Sequence, residues 1–227
     1  YLGARVCKSV GVRTYVSQYM FNSPPTTSPA MDLAKMLAKV EMIESLCDDG
    51  FEVIHQTRAG LLCFSPDPDV AKGQLAASTV LQLQLKPQIV HVVGFCEGDH
   101  AATVEDIIES CEIVRGVPRA SLPDFPDTTR DPRVQQRKDE LIGEAHVLLE
   151  ALRSLGDGPG DPLTNPEALA RAIKLGYLDA PHLCGNEWAA GRLATAPIDG
   201  AIRAIDPDTG EVLSESERLT ALGAHAQ

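Results

Sequence analysis

A chain of 227 residues with 44% hydrophobic residues can bury a sizeable core, which excludes global disorder. Its formal net charge of -12 disfavours nucleic acid and anionic membranes as partners, and 4% aromatic residues are too few for a base-stacking platform. We find no signal-peptide pattern and no apolar run of transmembrane length, so we expect a cytoplasmic protein whose six cysteines are buried free thiols.

The chain opens with a segment typical of a helix end. Leu2 and Val6 lie four residues apart, and Gly11 follows as a terminating residue. Because Tyr1 stands in the middle of this element, we expect that another segment precedes it, either in a longer parent or in a second chain.

Three strand–helix units come next. The predicted strands, which are rich in β-branched residues, are residues 12–17, 51–56 and 89–93. The predicted helices, which have apolar residues at three- and four-residue spacing, are residues 31–47, 69–85 and 103–115. This alternation predicts an α/β fold with parallel strands joined by right-handed crossovers. The third strand is nearly all apolar and is expected to be buried on both faces.

Two architectures fit these units, a small open sheet and a segment of a (β/α)8 TIM barrel. Three parallel strands alone would leave two exposed edges, which makes a poor independent fold. In either architecture the functional loops follow the carboxyl ends of the strands. Those loops are residues 18–30, 57–68 and 94–102.

The sequence changes character after residue 117. A linker rich in Pro and Asp (residues 123–132) leads into a long helix that ends near residue 155, and a short helix follows Pro166. Residues 193–213 are predicted to form short strands with a corner at Asp208, before a last helix. We therefore divide the chain into three βα units (1–117), a linker with the long helix (118–160), and an α+β extension (161–227).

The loop after the third strand is the richest in polar side chains. It holds Glu97, Asp99 and His100 within four residues, at the position where barrels place their chemistry. One interpretation is a polar cluster that binds hydroxyls or transfers protons. The alternative is a loop that caps the next helix. Metal binding by His91, Asp99 and His100 is disfavoured because no ligand spacing recurs, and His91 is expected to be a core or barrel-lining residue.

Other candidates follow the first two strands. Arg58 suits either a carboxylate or phosphate ligand or a surface salt bridge. Tyr19 and Asn22 are weaker candidates in the first loop. Cobalamin-carrying domains use D-x-H-x-x-G, whose histidine ligates cobalt; residues 179–185 have one residue too many, and Asp99–His100 has one too few. No metal ligand and no catalytic residue is assigned from the sequence.

An ordered set of residues resembles the large (epsilon) subunit family of glutamate mutase, also called methylaspartate mutase. The resemblance runs from Gly11 to about Arg218 and is strongest over residues 64–115. The matching positions are Phe64, Asp67, Ala71, Gly73, Glu97, Thr103 and Glu105, with His55, Gln56 and Gly60 before them and Asp179, Pro181, Gly191 and Gly200 after them.

This resemblance implies that the predicted strands are numbers six, seven and eight of the barrel. It implies an adenosylcobalamin-dependent isomerase that interconverts glutamate and 3-methylaspartate by a radical mechanism in a site closed to water. The cofactor would be bound jointly with a small cobalamin-binding subunit, and another chain would supply the earlier strands together with the arginines that grip the amino-acid substrate.

The family pattern also implies site residues. Glu97 matches a glutamate near the adenosyl ribose, and Arg58, Ala59 and Gly60 match positions that contact the corrin. Val93 stands where clostridial members have a lysine. Because of this departure and the missing strands, the alternative is a non-catalytic assembly or regulatory subunit that retains a partial barrel.

Overall fold

The computed structural model describes residues 1–121 and 126–224. The predicted linker therefore lies partly outside the described residues. The chain folds as two compact units, residues 13–138 and residues 1–12 with 139–227. The three predicted segments have different boundaries and stay a prediction.

The first unit is built on a three-stranded parallel sheet. Its elements are β1 (Thr14–Phe21), α2 (Pro29–Glu44), β2 (Glu52–Ala59), α3 (Pro68–Leu83), β3 (Ile89–Val90) and α4 (Val104–Ser121), and α5 (Pro132–Arg153) begins in it. The sheet order is β1-β2-β3 and both pairings are parallel. The predicted α/β class is confirmed, and the described residues contain three parallel strands rather than a closed barrel.

The first two strands run further than predicted. Their ladder continues in register from Thr14 opposite Glu52 to Phe21 opposite Ala59. Pairing between distant segments extends the strands beyond their most β-branched residues, and local strand propensity does not predict this extension. Tyr19 and Arg58 therefore lie on strands and not in loops, and that part of the prediction was wrong.

The sheet buries only one face. Ser17, Tyr19 and Phe21 of β1 are buried, and so are the matching residues of β2, because alternate side chains point to the same side. Tyr19 and Phe21 pack with Leu33 of α2 in one cluster of buried residues. On the other face Val16 is 45% exposed and Met20 is 38% exposed.

The third strand is shorter and more open than predicted. Only Ile89 and Val90 pair with β2, and one further hydrogen bond joins His91 N to Thr57 O at 2.8 Å. Ile89 is 40% exposed and His91 is exposed, so the expectations of a strand buried on both faces and of a core histidine were wrong. The reason is its position at the sheet edge, where nothing among the described residues pairs with its second side.

The second unit combines helices with a β-hairpin. It contains α1 (Leu2–Ser9), most of α5, α6 (Pro166–Leu175), β4 (Ala194–Ile198), β5 (Ala201–Ile205) and α7 (Glu215–Ala221). The hairpin turns at Asp199–Gly200, both with positive φ as a type I′ turn requires. The predicted corner at Asp208 belongs to the next turn, which leads to a bridge between Ile205 and Val212.

Three helices share the same start. Ser28, Asp67 and Asn165 each cap a helix with a side-chain oxygen that accepts backbone N–H groups, and each is followed by proline. Proline suits the first helical position because its missing N–H would have no partner there. This pattern explains why the helix starts were predicted to within about two residues.

Candidate functional site

The loops after the carboxyl ends of the three parallel strands pack against one another. Gly60 N donates to Phe21 O at 2.7 Å, and a Cβ atom on Gly60 would lie 3.0 Å from that oxygen. A Cβ atom on Gly98 would lie 2.9 Å from Phe64 O. These approaches require glycine, so the sequence itself brings the three loops into one surface. The position is the one where parallel α/β folds bind ligands.

Glu97 is exposed on the third of these loops. It belongs to a 3-10 turn, Phe95–Gly98, and its Oε1 accepts a hydrogen bond from Gly94 N at 2.7 Å. The carboxylate therefore has a structural role at the start of this turn. Its other oxygen, Oε2, has no partner among the described residues and is available to accept hydrogen bonds from a ligand.

The remaining predicted cofactor residues differ in accessibility. Ala59 and Val93 are 2% and 3% exposed and belong to the same buried cluster, with Phe64 and Phe95. Val93 therefore offers no side-chain group at the loop surface. Arg58 lies on the sheet face opposite to Ala59 and is partly exposed. Its Nε donates to Ala59 O at 3.2 Å, and its guanidinium forms no ion pair among the described residues.

The two weaker candidates have structural partners. Tyr19 Oη lies 2.9 Å from His55 Nδ1, and His55 Nε2 lies 2.9 Å from Glu44 Oε1, so a buried phenol is linked to a half-exposed carboxylate. Burial raises the pKa of Tyr19 to about 12, with a smaller contribution from the charge of Glu44. This chain of groups runs from Tyr19 of β1 through His55 of β2 to Glu44, the last residue of α2.

Asn22 shapes the first loop. It has a positive φ of 57°, and its N–H donates to the buried carboxylate of Asp32, which also pairs with Lys35 at 2.7 Å. Its Oδ1 is buried and has no hydrogen-bond partner among the described residues. A mostly apolar cavity of about 170 Å³ lies beside it, lined in part by Gly60 and Cys63.

The third loop and the start of α4 also contain residues that could hold a metal. Cys96, His100 and Asp106 each offer a ligand atom, and these atoms lie within 4.8 Å of one another. The sequence analysis considered metal binding only by His91, Asp99 and His100, disfavoured it, and did not consider Cys96 or Asp106. The missed signal is the C-x3-H-x5-D spacing across a turn and a helix start. All six cysteines are free as predicted, but only Cys96 is buried.

Residues 179–185 nearly match the cobalt-binding motif, and the aspartate of this segment has a structural role. The Asp179 carboxylate accepts hydrogen bonds from the backbone N–H groups of Ala180, Gly191, Arg192 and Leu193. Burial alone would raise the pKa of Asp179, but these four donors lower it below its usual value. Asp179 therefore does not orient His182, which is exposed.

Among residues 1–121 and 126–224, no helix combines the length and the apolar character needed to cross a membrane. Neither a protein-family model nor a curated protein matches this chain.

Proposed function

We propose that this chain is the C-terminal part of an adenosylcobalamin-dependent carbon-skeleton mutase that interconverts glutamate and 3-methylaspartate by a radical mechanism. The observation that carries the proposal is the one-sided sheet. The strands lie in sequence order, and the helices that connect them pack on one face. Strands in sequence order with crossovers of one hand place every helix on the same side, as in a barrel wall.

The uncovered edges and the uncovered face of this sheet argue for a partner chain. In the described part of the chain, both edge strands lack a second neighbour, and the face opposite the helices exposes Val16 and Met20. Open parallel edges and exposed apolar side chains are a liability unless something covers them. Earlier barrel strands supplied by another chain would pair with both edges and enclose this face.

The loop surface supports a shared cofactor site. Glu97 would accept hydrogen bonds from the ribose hydroxyls of the adenosyl group through its free Oε2, while Oε1 fixes the side chain to Gly94 N. Arg58, on the open face, would meet the corrin; it is the one of the three implied contacts with an accessible side chain, because Ala59 is buried in the apolar cluster and Gly60 has no side chain. Adenosylcobalamin supplies the radical chemistry, and this chain positions the ribose and excludes water. The cobalt ligand would come from the small cobalamin-binding subunit, because Asp179 is engaged by backbone groups.

One observation favours the second candidate, a non-catalytic assembly or regulatory subunit. Val93 stands in place of the lysine of clostridial members and is 3% exposed within an apolar cluster. A residue buried in that way cannot act on the adenosyl group. Under this alternative the chain would bind the same partners and would not support turnover.

Assembly is the first test. The chain, purified alone, is expected to form oligomers, and co-expression with a chain that carries the earlier strands is expected to give a defined complex in sedimentation experiments. Val16→Lys puts a charge on the open face and should weaken this complex, whereas Val70→Lys, at a 50% exposed position on α3, should not. A stable, dispersed monomer with a cooperative melt would contradict the split barrel.

Turnover separates the two candidates. In the complex reconstituted with a cobalamin-binding subunit, Glu97→Gln should slow conversion of glutamate about tenfold or more, because charge-assisted bonds to the ribose are each worth about 1.5–3 kcal/mol. Glu105→Gln, at an exposed position of the first turn of α4, is the matched control and should leave turnover unchanged. A complex that binds adenosylcobalamin without any turnover would favour the regulatory subunit. His182→Ala should leave the axial-ligand signature of the cofactor spectrum unchanged.

A further inference from the structure

The loop after β3 and the start of α4 bring three different metal-ligating groups together. Cys96 lies in the 3-10 turn, His100 follows that turn, and Asp106 lies in the first turn of α4. The thiol, an imidazole nitrogen and a carboxylate oxygen all lie within 4.8 Å of one another. Cys96 is 4% exposed, whereas the side chain of His100 is 49% exposed, so the cluster is fixed on one side and open to solvent on the other.

His100 is held between two carboxylates. Its Nδ1 lies 3.0 Å from Asp99 Oδ2, and its Nε2 lies 3.3 Å from Asp106 Oδ2. A neutral imidazole has one N–H, so it can donate to only one of them. When Nδ1 donates to Asp99, the lone pair of Nε2 points toward another acceptor. In the metal-free chain a protonated imidazole donates to both carboxylates, and a cation between Nε2 and Asp106 would take the place of the Nε2 proton. A carboxylate on the far nitrogen is the usual support of a metal-bound histidine.

The spacing of the groups fits a small tetrahedral ion. Two ligands at about 2.0–2.1 Å from such an ion lie about 3.4 Å apart. The separation of His100 Nε2 from Asp106 Oδ2 is 3.3 Å, and Cys96 Sγ lies within 4.8 Å of a ring nitrogen of His100 and of a carboxylate oxygen of Asp106. Cys96 Sγ would have to move closer to the other two ligand atoms to occupy the third corner of a tetrahedron.

The charges of the cluster also suit a divalent ion. Asp106 Oδ2 accepts hydrogen bonds from Thr103 N at 2.9 Å and from Thr103 Oγ1 at 2.7 Å, so this carboxylate is held in place beside His100. A thiolate, a carboxylate and a neutral imidazole carry two negative charges, which a divalent ion neutralises. Sulfur with nitrogen and oxygen is a ligand set typical of zinc or cobalt and not of calcium or magnesium.

We propose that Cys96, His100 and Asp106 bind a divalent transition-metal ion, zinc by preference, with water at the fourth position and with Asp99 orienting His100. Binding releases the thiol proton of Cys96 to solvent and forms the metal–sulfur bond. The site does not use Glu97, Arg58, Ala59, Gly60 or Val93, so it does not depend on the proposed cobalamin function. Because one ligand lies in the 3-10 turn and another in α4, the bound ion would link the third loop to the helix that follows it.

The experiment is a titration of the metal-free chain with Co²⁺ in the absence of cobalamin, followed by displacement with Zn²⁺. We expect one equivalent of Co²⁺ per chain at micromolar concentration, with the near-ultraviolet band of a cobalt–thiolate bond and the visible bands of tetrahedral cobalt. Zn²⁺ should abolish both signals. Elemental analysis after dialysis should give one zinc per chain.

Variants identify the ligands. Cys96→Ser should remove the near-ultraviolet band, and His100→Gln, at an exposed side chain, should abolish tight binding without unfolding the chain. Asp99→Asn should lower affinity about 10- to 100-fold, the range expected for an orienting residue. Cys111→Ser, at a partly buried cysteine of α4, is the matched control and should bind as the parent does. Absence of binding at micromolar Co²⁺ and Zn²⁺, or an unchanged thiolate band in Cys96→Ser, would overturn the proposal.

Discussion

Different interactions stabilise the two compact units, which we call the sheet unit (residues 13–138) and the C-terminal unit (residues 1–12 with 139–227). The sheet unit depends on an apolar interface in which Tyr19, Phe21, Leu33 and Met36 are at most 1% exposed. The C-terminal unit has fewer strands, and charged side chains fix its loops. Asp179 binds four backbone N–H groups, and Arg218 donates to the carbonyl groups of Gly176 and Tyr177.

The shifted pKa values in the two units predict how each of them responds to pH. In the C-terminal unit the pKa values of Asp179 and Asp206 are lowered, so their contribution to stability is present above the unfolded pKa values and is lost as the pH falls. In the sheet unit the pKa of Tyr19 is raised, so its contribution is present below about pH 10 and is lost as the pH rises toward about 12. The pKa values of Asp106, Asp127 and Asp131 in the sheet unit are lowered in the same way, so acid should destabilise both units, whereas alkali should destabilise the sheet unit through Tyr19.

The largest effect is expected at Asp179. Asp179→Ala leaves four backbone donors without their acceptor and should destabilise the C-terminal unit by about 3 kcal/mol, because bonds to a charged group are the strong ones. Unfolding should be followed by the fluorescence of Trp188, the only tryptophan of the sequence, which reports on this unit alone.

Asp208→Ala is the matched control for this test. The Asp208 carboxylate accepts no hydrogen bond among the described residues, and only its backbone N–H is bonded, to Asp206 Oδ1 at 2.9 Å. We expect its free energy of unfolding to stay within about 0.5 kcal/mol of the parent value. Equal effects of the two substitutions would contradict the assignment of Asp179 as the residue that fixes these loops.

The stability of the sheet unit should change when a substitution adds side-chain volume, and not only when it removes a charge. Gly98→Ala places a Cβ atom 2.9 Å from Phe64 O and should destabilise the packed loops by about 2 kcal/mol. Gly116→Ala has open space and a helical backbone, so it should raise stability by about 0.5–1 kcal/mol. Urea titrations of both variants should give shifts of opposite sign; two shifts of the same sign would show that backbone entropy, and not the contact with Phe64, governs Gly98.

Local signals predicted part of this structure. The Ser28, Asp67 and Asn165 caps and the apolar spacing of the helices are properties of short segments, so the helices could be placed from sequence. The lengths of β1 and β2 could not be predicted from short segments. They are set by pairing with residues about 38 positions away in the sequence, as Thr14 pairs with Glu52.

The candidate site was predictable to a similar extent. The position of Glu97 on the loop after β3 followed from the alternation of strands and helices, but its bond to Gly94 N did not. The group formed by Cys96, His100 and Asp106 was missed because the ligands come from a turn, a loop and a helix start, whose relative placement depends on the tertiary fold. Val93 was expected at the cofactor, whereas the fold buries it with Ala59.

A smaller loss of stability than at Asp179 or Gly98 is expected at Tyr19, and it tests the response of the sheet unit to alkali. Tyr19→Phe removes a buried hydroxyl that contacts His55 Nδ1 at 2.9 Å and should cost about 1 kcal/mol near neutral pH. Tyr15→Phe is the control, since the Tyr15 ring stacks on Phe51 and its hydroxyl has no hydrogen bond among the described residues. In an absorbance titration of tyrosinate, one of the four tyrosines should ionise only near pH 12 or together with unfolding. That late phase should be absent in Tyr19→Phe and present in Tyr15→Phe; its persistence in Tyr19→Phe would mean that another tyrosine, and not the buried phenol of the sheet unit, sets the alkaline limit.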